Sequence, residues 1–199
     1  MTQTWNVVSA VDNLRVAVIL GSTREGRFGP TVTRWFTETA GRLRTDMTLD
    51  VIDLAEADLP AVYPSAESAA VSAYAERLDR ADAFVVVTPE YNHGYPASLK
   101  QAIDLAMQQW MAKPVGFVSY GGISGGLRAV GQLRQVFAEV HATTIRDTVS
   151  FAMAHGLFDD AGVLRDPEGP EVAAKTMLDE LAWWANALRT ARIAHPYAA

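Results

Sequence analysis

Three segments concentrate the residues able to do chemistry. The first, GSTREGRFGP (Gly21–Pro30), sets two hydroxyls and two guanidiniums on glycine-rich backbone just before a helix-like stretch. Free amides at a helix N-terminus, aided by the helix dipole, make an anion site. Ser22 and Thr23 can add hydroxyl donors, Arg24 and Arg27 add positive charge, and Pro30 fits a first helical turn without losing a hydrogen bond. The spacing departs from better-known phosphate loops. A dinucleotide fingerprint needs glycine where Thr23 stands, and a Walker loop needs lysine and a hydroxyl where Arg27 and Phe28 stand. The segment therefore reads as a phosphate grip without nucleotide hydrolysis.

The second segment, TPEYNHGYPASLK (Thr88–Lys100), is stiffened by Pro89 and Pro96 and can bend at Gly94. Tyr91 and Tyr95 offer flat faces, and the amides between them can donate to the edge of a heterocycle. Glu90 and His93 are near enough in sequence for a proton pair. Taken alone, Glu90 reads as a surface or helix-capping carboxylate and His93 as an exposed loop residue. The third segment, SYGGISGGLRA (Ser119–Ala129), carries glycines at 121, 122, 125 and 126 that let backbone approach a planar ligand. No nucleophile is paired with a base, so no catalytic side chain is assigned. A phosphate grip, an aromatic loop and a bare-backbone loop together suit a ligand with a phosphate at one end and a flat ring system at the other.

Each segment follows an apolar run: Leu14–Leu20, Ala83–Val87 and Pro114–Tyr120 read as central strands of a parallel sheet covered on both faces. Met47–Asp53 alternates apolar and polar residues as an edge strand does, and residues 143–151 form a further strand. Between them Val32, Trp35, Phe36, Ala40 and Leu43 recur at helical spacing, as do Val71, Tyr74, Ala75 and Leu78. Leu99, Ala102, Ile103, Ala106 and Trp110 predict one helix, and Leu127, Val130, Leu133, Phe137 and Val140 another. A last helix is predicted from about Glu171 to Ile193, burying Met177, Leu178, Leu181, Trp184 and Leu188. Trp110 and the pair Trp183–Trp184 read as core or interface, core being the first reading for large aromatics at helical spacing. Strand and helix alternate throughout, which right-handed crossovers turn into an open doubly wound α/β sheet. Ligands of such folds bind beyond the carboxyl ends of the strands, where all three segments lie.

Composition narrows the field. The chain has 199 residues, 17 basic against 23 acidic, a formal net charge of −6, and no basic stripe of the kind nucleic acid requires. It has no cysteine, which removes thiol nucleophiles, thiolate zinc sites, iron–sulfur clusters and disulfides. His93, His141, His155 and His195 lack metal-ligand spacing, so no metal site is expected. No apolar run is long enough to span a bilayer, and residues 1–13 read as a flexible arm before a single domain over 14–199. A cytoplasmic protein is the expectation.

GSTREGR, PEYNHGYPASLKQAID and SYGGISGGLRAVGQLR resemble the signature segments of the NADPH-dependent FMN reductases, which include quinone, azo-dye and chromate reductases. The resemblance covers roughly Val16 to Leu188. It implies a flavodoxin-like five-stranded sheet of order 2-1-3-4-5, FMN as cofactor and NADPH as co-substrate. It further implies ping-pong hydride transfer to a small-molecule acceptor, and homodimers or homotetramers with flavin sites near subunit contacts. Position by position, Ser22, Thr23, Arg24 and the stretch Gly26, Arg27, Phe28 and Gly29 would hold the FMN phosphate. Pro89, Glu90, Tyr91 and Asn92 would lie along the isoalloxazine, and Ser119, Tyr120, Gly121 and Gly122 would close its other side. Many members have serine at the place of Arg27 and asparagine at that of Gly29. Arg27 is thereby open to a second role, on the 2′-phosphate of NADPH. Two rival readings are a flavodoxin-type electron carrier and a flavin-free receiver domain. The receiver lacks its carboxylate cluster here, because Leu20 and Thr88 occupy the strand ends.

Overall fold

The computed structural model describes residues 13–66 and 68–198; apart from Asn13, the arm expected over residues 1–13 lies outside the described residues. Three apolar runs form the centre of the sheet as β1 (Leu14–Leu20), β3 (Ala83–Pro89) and β4 (Pro114–Tyr120), the latter two buried along their whole length. β2 (Met47–Asp53) and β5 (Thr143–Phe151), with alternating or partial burial, are the edges. All pairings are parallel and the order is β2-β1-β3-β4-β5, the flavodoxin-like arrangement.

The two-residue period of the strands sorts the core into two layers. Val16, Val18, Leu20, Val85 and Val87 face helices α1 (Gly29–Leu43) and α5 (Glu168–Ala194). Ala17, Ile19, Phe84, Val86 and Phe117 face α2 (Ala69–Asp79), α3 (Ala97–Asp104) and α4 (Leu127–Glu139). The second layer is anchored by aromatics. Trp110 meets Phe84 at 4.6 Å and Phe137 at 5.4 Å between ring centroids, and Phe137 meets Phe117 at 6.0 Å.

Two expectations are corrected. The helix predicted through Trp110 ends at Asp104, and Gln108–Trp110 form a short 3-10 turn. Trp110 is still buried, and its Nε1 donates at 3.1 Å to the Ile103 carbonyl, which also accepts from Ala106 N at 3.3 Å in the turn that ends the helix. Trp183 is 65% exposed rather than core. The buried stripe of α5 advances through Leu178, Leu181 and Ala185, steps of three and four that pass residue 183 by. Trp184 is half-buried against the same layer. Of the face predicted for α2, only Tyr74 and Leu78 are fully buried.

Among the described residues no helix is long and apolar enough to cross a membrane, and no group of histidine and carboxylate residues is placed to hold a metal ion. The aromatic anchor makes a first prediction. Phe137→Ala removes a ring shared by Trp110 and Phe117, and should cost about 3–5 kcal/mol of stability in urea denaturation. A loss below about 1 kcal/mol would mean that the α3–α4 layer is not packed around it.

Candidate functional site

Hydrogen bonding of the sheet continues one residue past the strand ends and pins the root of each loop. Gly21 N donates to Val87 O at 2.9 Å, Leu54 N to Leu20 O at 3.2 Å, Glu90 N to Tyr120 O at 3.0 Å and Gly121 N to Phe151 O at 3.1 Å. The three chemistry-bearing segments therefore leave neighbouring strands at one level and converge.

In the first loop, among the described residues, the amides of Ser22, Thr23, Arg24, Glu25, Gly26 and Phe28 have no backbone partner, whereas Arg27 N closes a turn on Arg24 O at 3.2 Å. These amides and the start of α1 supply the donors expected of an anion site. Thr23 Oγ1 donates to Ser98 Oγ at 3.3 Å, and Ser98 Oγ donates to Gly21 O at 3.1 Å, tying the loop to the first turn of α3. Arg24 is exposed, with its guanidinium 4.1 Å from the centroid of the Tyr91 ring.

Arg27 is used differently. Its Nη1 donates to Asp53 Oδ1 at 2.5 Å and to Ser22 O at 2.6 Å, and its Nη2 donates to Asp53 Oδ2 at 2.6 Å. The side chains are only 15% and 17% exposed. Hydrogen bonding to Asp53 raises the Arg27 pKa further. Burial pushes the Asp53 carboxyl up, but the bonds from Arg27 and Ala55 N outweigh it and hold the group below the usual carboxylate range. The bidentate pair clamps the loop to the end of β2.

Ser22 and Tyr120 are buried, and their hydroxyls, neighbours without hydrogen-bond geometry, have no partner among the described residues. Burial raises the Tyr120 phenol above its ordinary range, which the nearby Ser22 hydroxyl offsets only in part. Both hydroxyls crowd Gly29, where a Cβ would stand 2.4 Å from Ser22 Oγ, 2.4 Å from Leu20 Cδ1 and 2.9 Å from Tyr120 Oη. The asparagine common at this place in similar sequences has no room here. Phe28 packs beside them, 6.1 Å from the Tyr120 ring and 4.5 Å from that of His155.

The other loops are held by polar side chains at their backs. Tyr91 and Gly94 exchange both backbone hydrogen bonds across Asn92 and His93, each at positive φ (50° and 68°). Gln132 Nε2 donates to His93 O at 3.0 Å. This two-residue turn holds Asn92 exposed above the buried Pro89. Glu90, whose side chain is 7% exposed, accepts from Arg128 N at 3.1 Å and Arg128 Nη1 at 3.0 Å, which is the helix-capping role. Burial raises its pKa, but hydrogen bonds from Ser124 and Arg128 prevail and hold it below the usual carboxylate range. Ser119 is fully buried, and its hydroxyl donates to Gly125 O at 2.8 Å, as does that of Ser150 at 2.9 Å. Gly126, at φ 88°, passes so close that a Cβ would lie 2.7 Å from Ser119 Cβ. Gly121 and Gly122 accept from Ala154 N and Met153 N, and the backbone around a Cβ at Gly122 is open.

The structure thus brings every sequence-predicted site residue to one pole. It gives Arg27, Glu90 and Ser119 internal partners, and leaves Arg24 and Asn92 exposed, Tyr91 half-buried and most of the loop amides without a backbone partner among the described residues. Asp53, Ser98, Arg128, Gln132 and Ser150 are supports that the sequence reading missed. Only Asp53 carried a signal, as the acid ending the strand beside a two-arginine loop. A cleft of about 410 Å³ lined by Thr23, Leu54, Leu59, Pro60 and Ser98 adjoins the first loop. A larger one lies at the opposite end of the sheet, but the free amides and the aromatic plane are here.

The sequence profile of the NADPH-dependent FMN reductases matches residues 14–156. An NAD(P)H-dependent FMN reductase of Schizosaccharomyces pombe is 37% identical over 134 residues, 61% of this chain; the match spans 64% of that protein, under two thirds of its length. A quinone reductase of Pseudomonas putida is 32% identical over 181 residues, 85% of this chain and 93% of the relative. Among solved structures, the flavoenzyme NAD(P)H:(acceptor) oxidoreductase of Paracoccus denitrificans superposes with a TM-score of 0.71 at 21% identity, covering 87% of this chain and 98% of that one.

The clamp can be tested by pH. A carboxyl with a depressed folded pKa contributes stability that is present above its unfolded pKa and lost as pH falls through the folded value. Asp53→Asn should cost about 1–3 kcal/mol near neutral pH, and the gap to the parent should close as pH falls below the usual carboxylate range. A gap that persists unchanged in acid would assign the loss to packing. Gly29→Ala, which drives a methyl into both orphaned hydroxyls, should cost about 1–3 kcal/mol in the same denaturation assay.

Proposed function

Because the chain belongs to the NADPH-dependent FMN reductase family, we propose that it is an FMN-dependent NAD(P)H oxidoreductase acting on a small-molecule acceptor. One observation carries the reading. Arg24, with no carboxylate partner among the described residues, stacks on Tyr91 at the edge of a loop whose amides are unpaired. A free cation, free donors and an aromatic plane in one place suit a phosphate joined to a flat heterocycle. The quinone reductases among the relatives agree with it.

The amides of Ser22 to Gly26 and of Phe28, the Thr23 hydroxyl and the Arg24 guanidinium would hold the FMN phosphate. Ser22 and Tyr120, with unpaired hydroxyls beneath α1, would stiffen that cradle or donate into it. Arg27 acts as a positioning residue, since Asp53 occupies both its terminal nitrogens. Backbone from Pro89, Glu90, Tyr91 and Asn92 would border one side of the ring system, and Tyr120, Gly121 and Gly122 the other. Ser119 would act through Gly125 rather than by contact. Bound there, FMN supplies a two-electron carrier between nicotinamide and acceptor, and the protein supplies orientation and donors for the negative charge. NADPH and a quinone, azo compound, metal oxyanion or free flavin would share one mouth in turn, which is ping-pong order. The exposed Ile123, Leu127 and Met153 beside the third loop support homo-oligomeric assembly near the site.

The direct test is an absorption spectrum after FMN loading and desalting, followed by anaerobic NADPH. A retained flavin band that NADPH bleaches is the expected result, while a band that it leaves intact would favour an electron carrier. Arg24→Ala should weaken FMN or NADPH binding by about 1–3 kcal/mol, roughly 5- to 150-fold. Unchanged affinity for both would remove the first loop from the site.

A further inference from the structure

The pole opposite the loops gathers cations. Arg15 on β1, Arg77 and Arg80 at the end of α2, Lys113 before β4, and Arg189 and Arg192 near the end of α5 stand there with Asp50, Asp79 and Asp82, in a chain of net charge −6. Arg77 is taken up by Asp50 at 2.5 Å. Asp82 is saturated: Oδ2 accepts from Arg15 N at 3.0 Å and Arg189 Nη1 at 3.3 Å, and Oδ1 lies 3.8 Å from Arg192 Nη2. Between the α2 end, Lys113, α5 and the C-terminal residues lies a cleft of about 600 Å³, within the range of small-molecule sites.

Lys113 forms part of its wall and is 6% exposed. Its Nζ donates to Leu78 O and Asp79 O, each at 2.9 Å. Both acceptors are neutral carbonyls, and an ammonium has three protons to give. Burial and then the Arg192 charge lower its pKa to about 8, against the pull of Asp79 and Asp82. Arg192 donates to Ala112 O at 2.5 Å, and among the described residues the Arg80 guanidinium has only a 4.0 Å contact with Glu76. A desolvated cation without a bonded counter-charge is costly, and an anion in the cleft would offset that cost. Met111, Pro196 and Tyr197 add apolar and aromatic surface to a lining that is otherwise mostly polar. Tyr197 is held in place by His141, whose Nδ1 lies 2.9 Å from its hydroxyl.

We propose that this cleft is a second ligand site, separate from the flavin loops, for a small aromatic anion. Its carboxylate or phosphate sits against Lys113, Arg80 and Arg192, and its ring against Tyr197 and Met111. The exposed Asp79 in the lining disfavours a ligand of more than modest charge, and the Tyr197 ring and Met111 give an aromatic ligand a contact that a bare ion lacks.

The test is calorimetric titration of the FMN-loaded protein with 2-naphthoate, phenyl phosphate and inorganic phosphate. Both aromatic anions should bind at one per chain, and the tighter of them identifies the anionic group. Inorganic phosphate should bind at least ~10-fold more weakly. Arg192→Gln and Tyr197→Ala should each weaken the aromatic anions roughly 10-fold or more, with the NADPH bleaching rate unchanged. The Lys113 Nζ resonance should move on saturation in the parent. Equal binding of inorganic phosphate, affinity that depends on Arg24 rather than on Arg192 and Tyr197, or no binding at millimolar concentration would each overturn the proposal.

Discussion

The site depends on one constraint, the parallel register carried past the strand ends. Each chemistry-bearing segment begins with an amide bonded to the carbonyl of the next strand: Gly21 to Val87, Glu90 to Tyr120 and Gly121 to Phe151. These bonds lie in a buried sheet, where an unpaired amide or carbonyl is expensive, so the roots of the loops cannot slide independently. What the loops present follows from where they start. The two aromatic and aliphatic layers that cover the sheet act on the site through this register, and their residues need not touch a ligand to matter.

Within that frame, polar side chains divide into those that build the loops and those that remain available. Arg27 is spent on Asp53, Glu90 on the N-terminal turn of α4, and Ser119 on the Gly125 carbonyl. All three are largely shielded, and their bonds fix backbone. A cradle that is already ordered pays little conformational entropy when an anion enters it. The groups left unspent are few, and they are those whose chemistry needs no internal partner: a guanidinium on an aromatic face, and amides without a backbone partner among the described residues.

Much of the fold was legible because its signals are local or periodic. The strand runs Leu14–Leu20, Pro114–Tyr120 and 143–151 coincide with β1, β4 and β5, and the alternation in Met47–Asp53 marks an edge. The misreadings share a cause. Spacing alone continued α3 into Trp110, because a residue in a 3-10 turn can be as buried as one in a helix. It also favoured core over interface for Trp183, although a helix packed on one side leaves the residues off its buried stripe exposed. In the site, sequence indicated which residues gather but not which of them pair. Arg27 and Arg24 look equivalent in GSTREGR, and only the end of β2, 26 residues further on, separates them by supplying Asp53 to one. The helix-capping role of Glu90 was readable from its type, but its partner Arg128 is 38 residues away.

That asymmetry between paired and unpaired cations explains how a chain of net charge −6 presents anion-binding chemistry. At physiological ionic strength, exposed charges are screened beyond about 8 Å, so a site responds to its neighbours and not to the total. At the loops, Asp53 and Glu90 each neutralise and orient one arginine, and Arg24 stays uncompensated among free amides. At the opposite pole Asp82 does the same for Arg189, while Arg192, 3.8 Å from Asp82, and Lys113, which donates only to neutral carbonyls among the described residues, keep their charge without a bonded carboxylate. In both places a carboxylate that appears to oppose anion binding removes one cation from competition and holds the backbone that positions another. Counting acids against bases cannot recover this, because the acids nearest each site are the ones already consumed in building it.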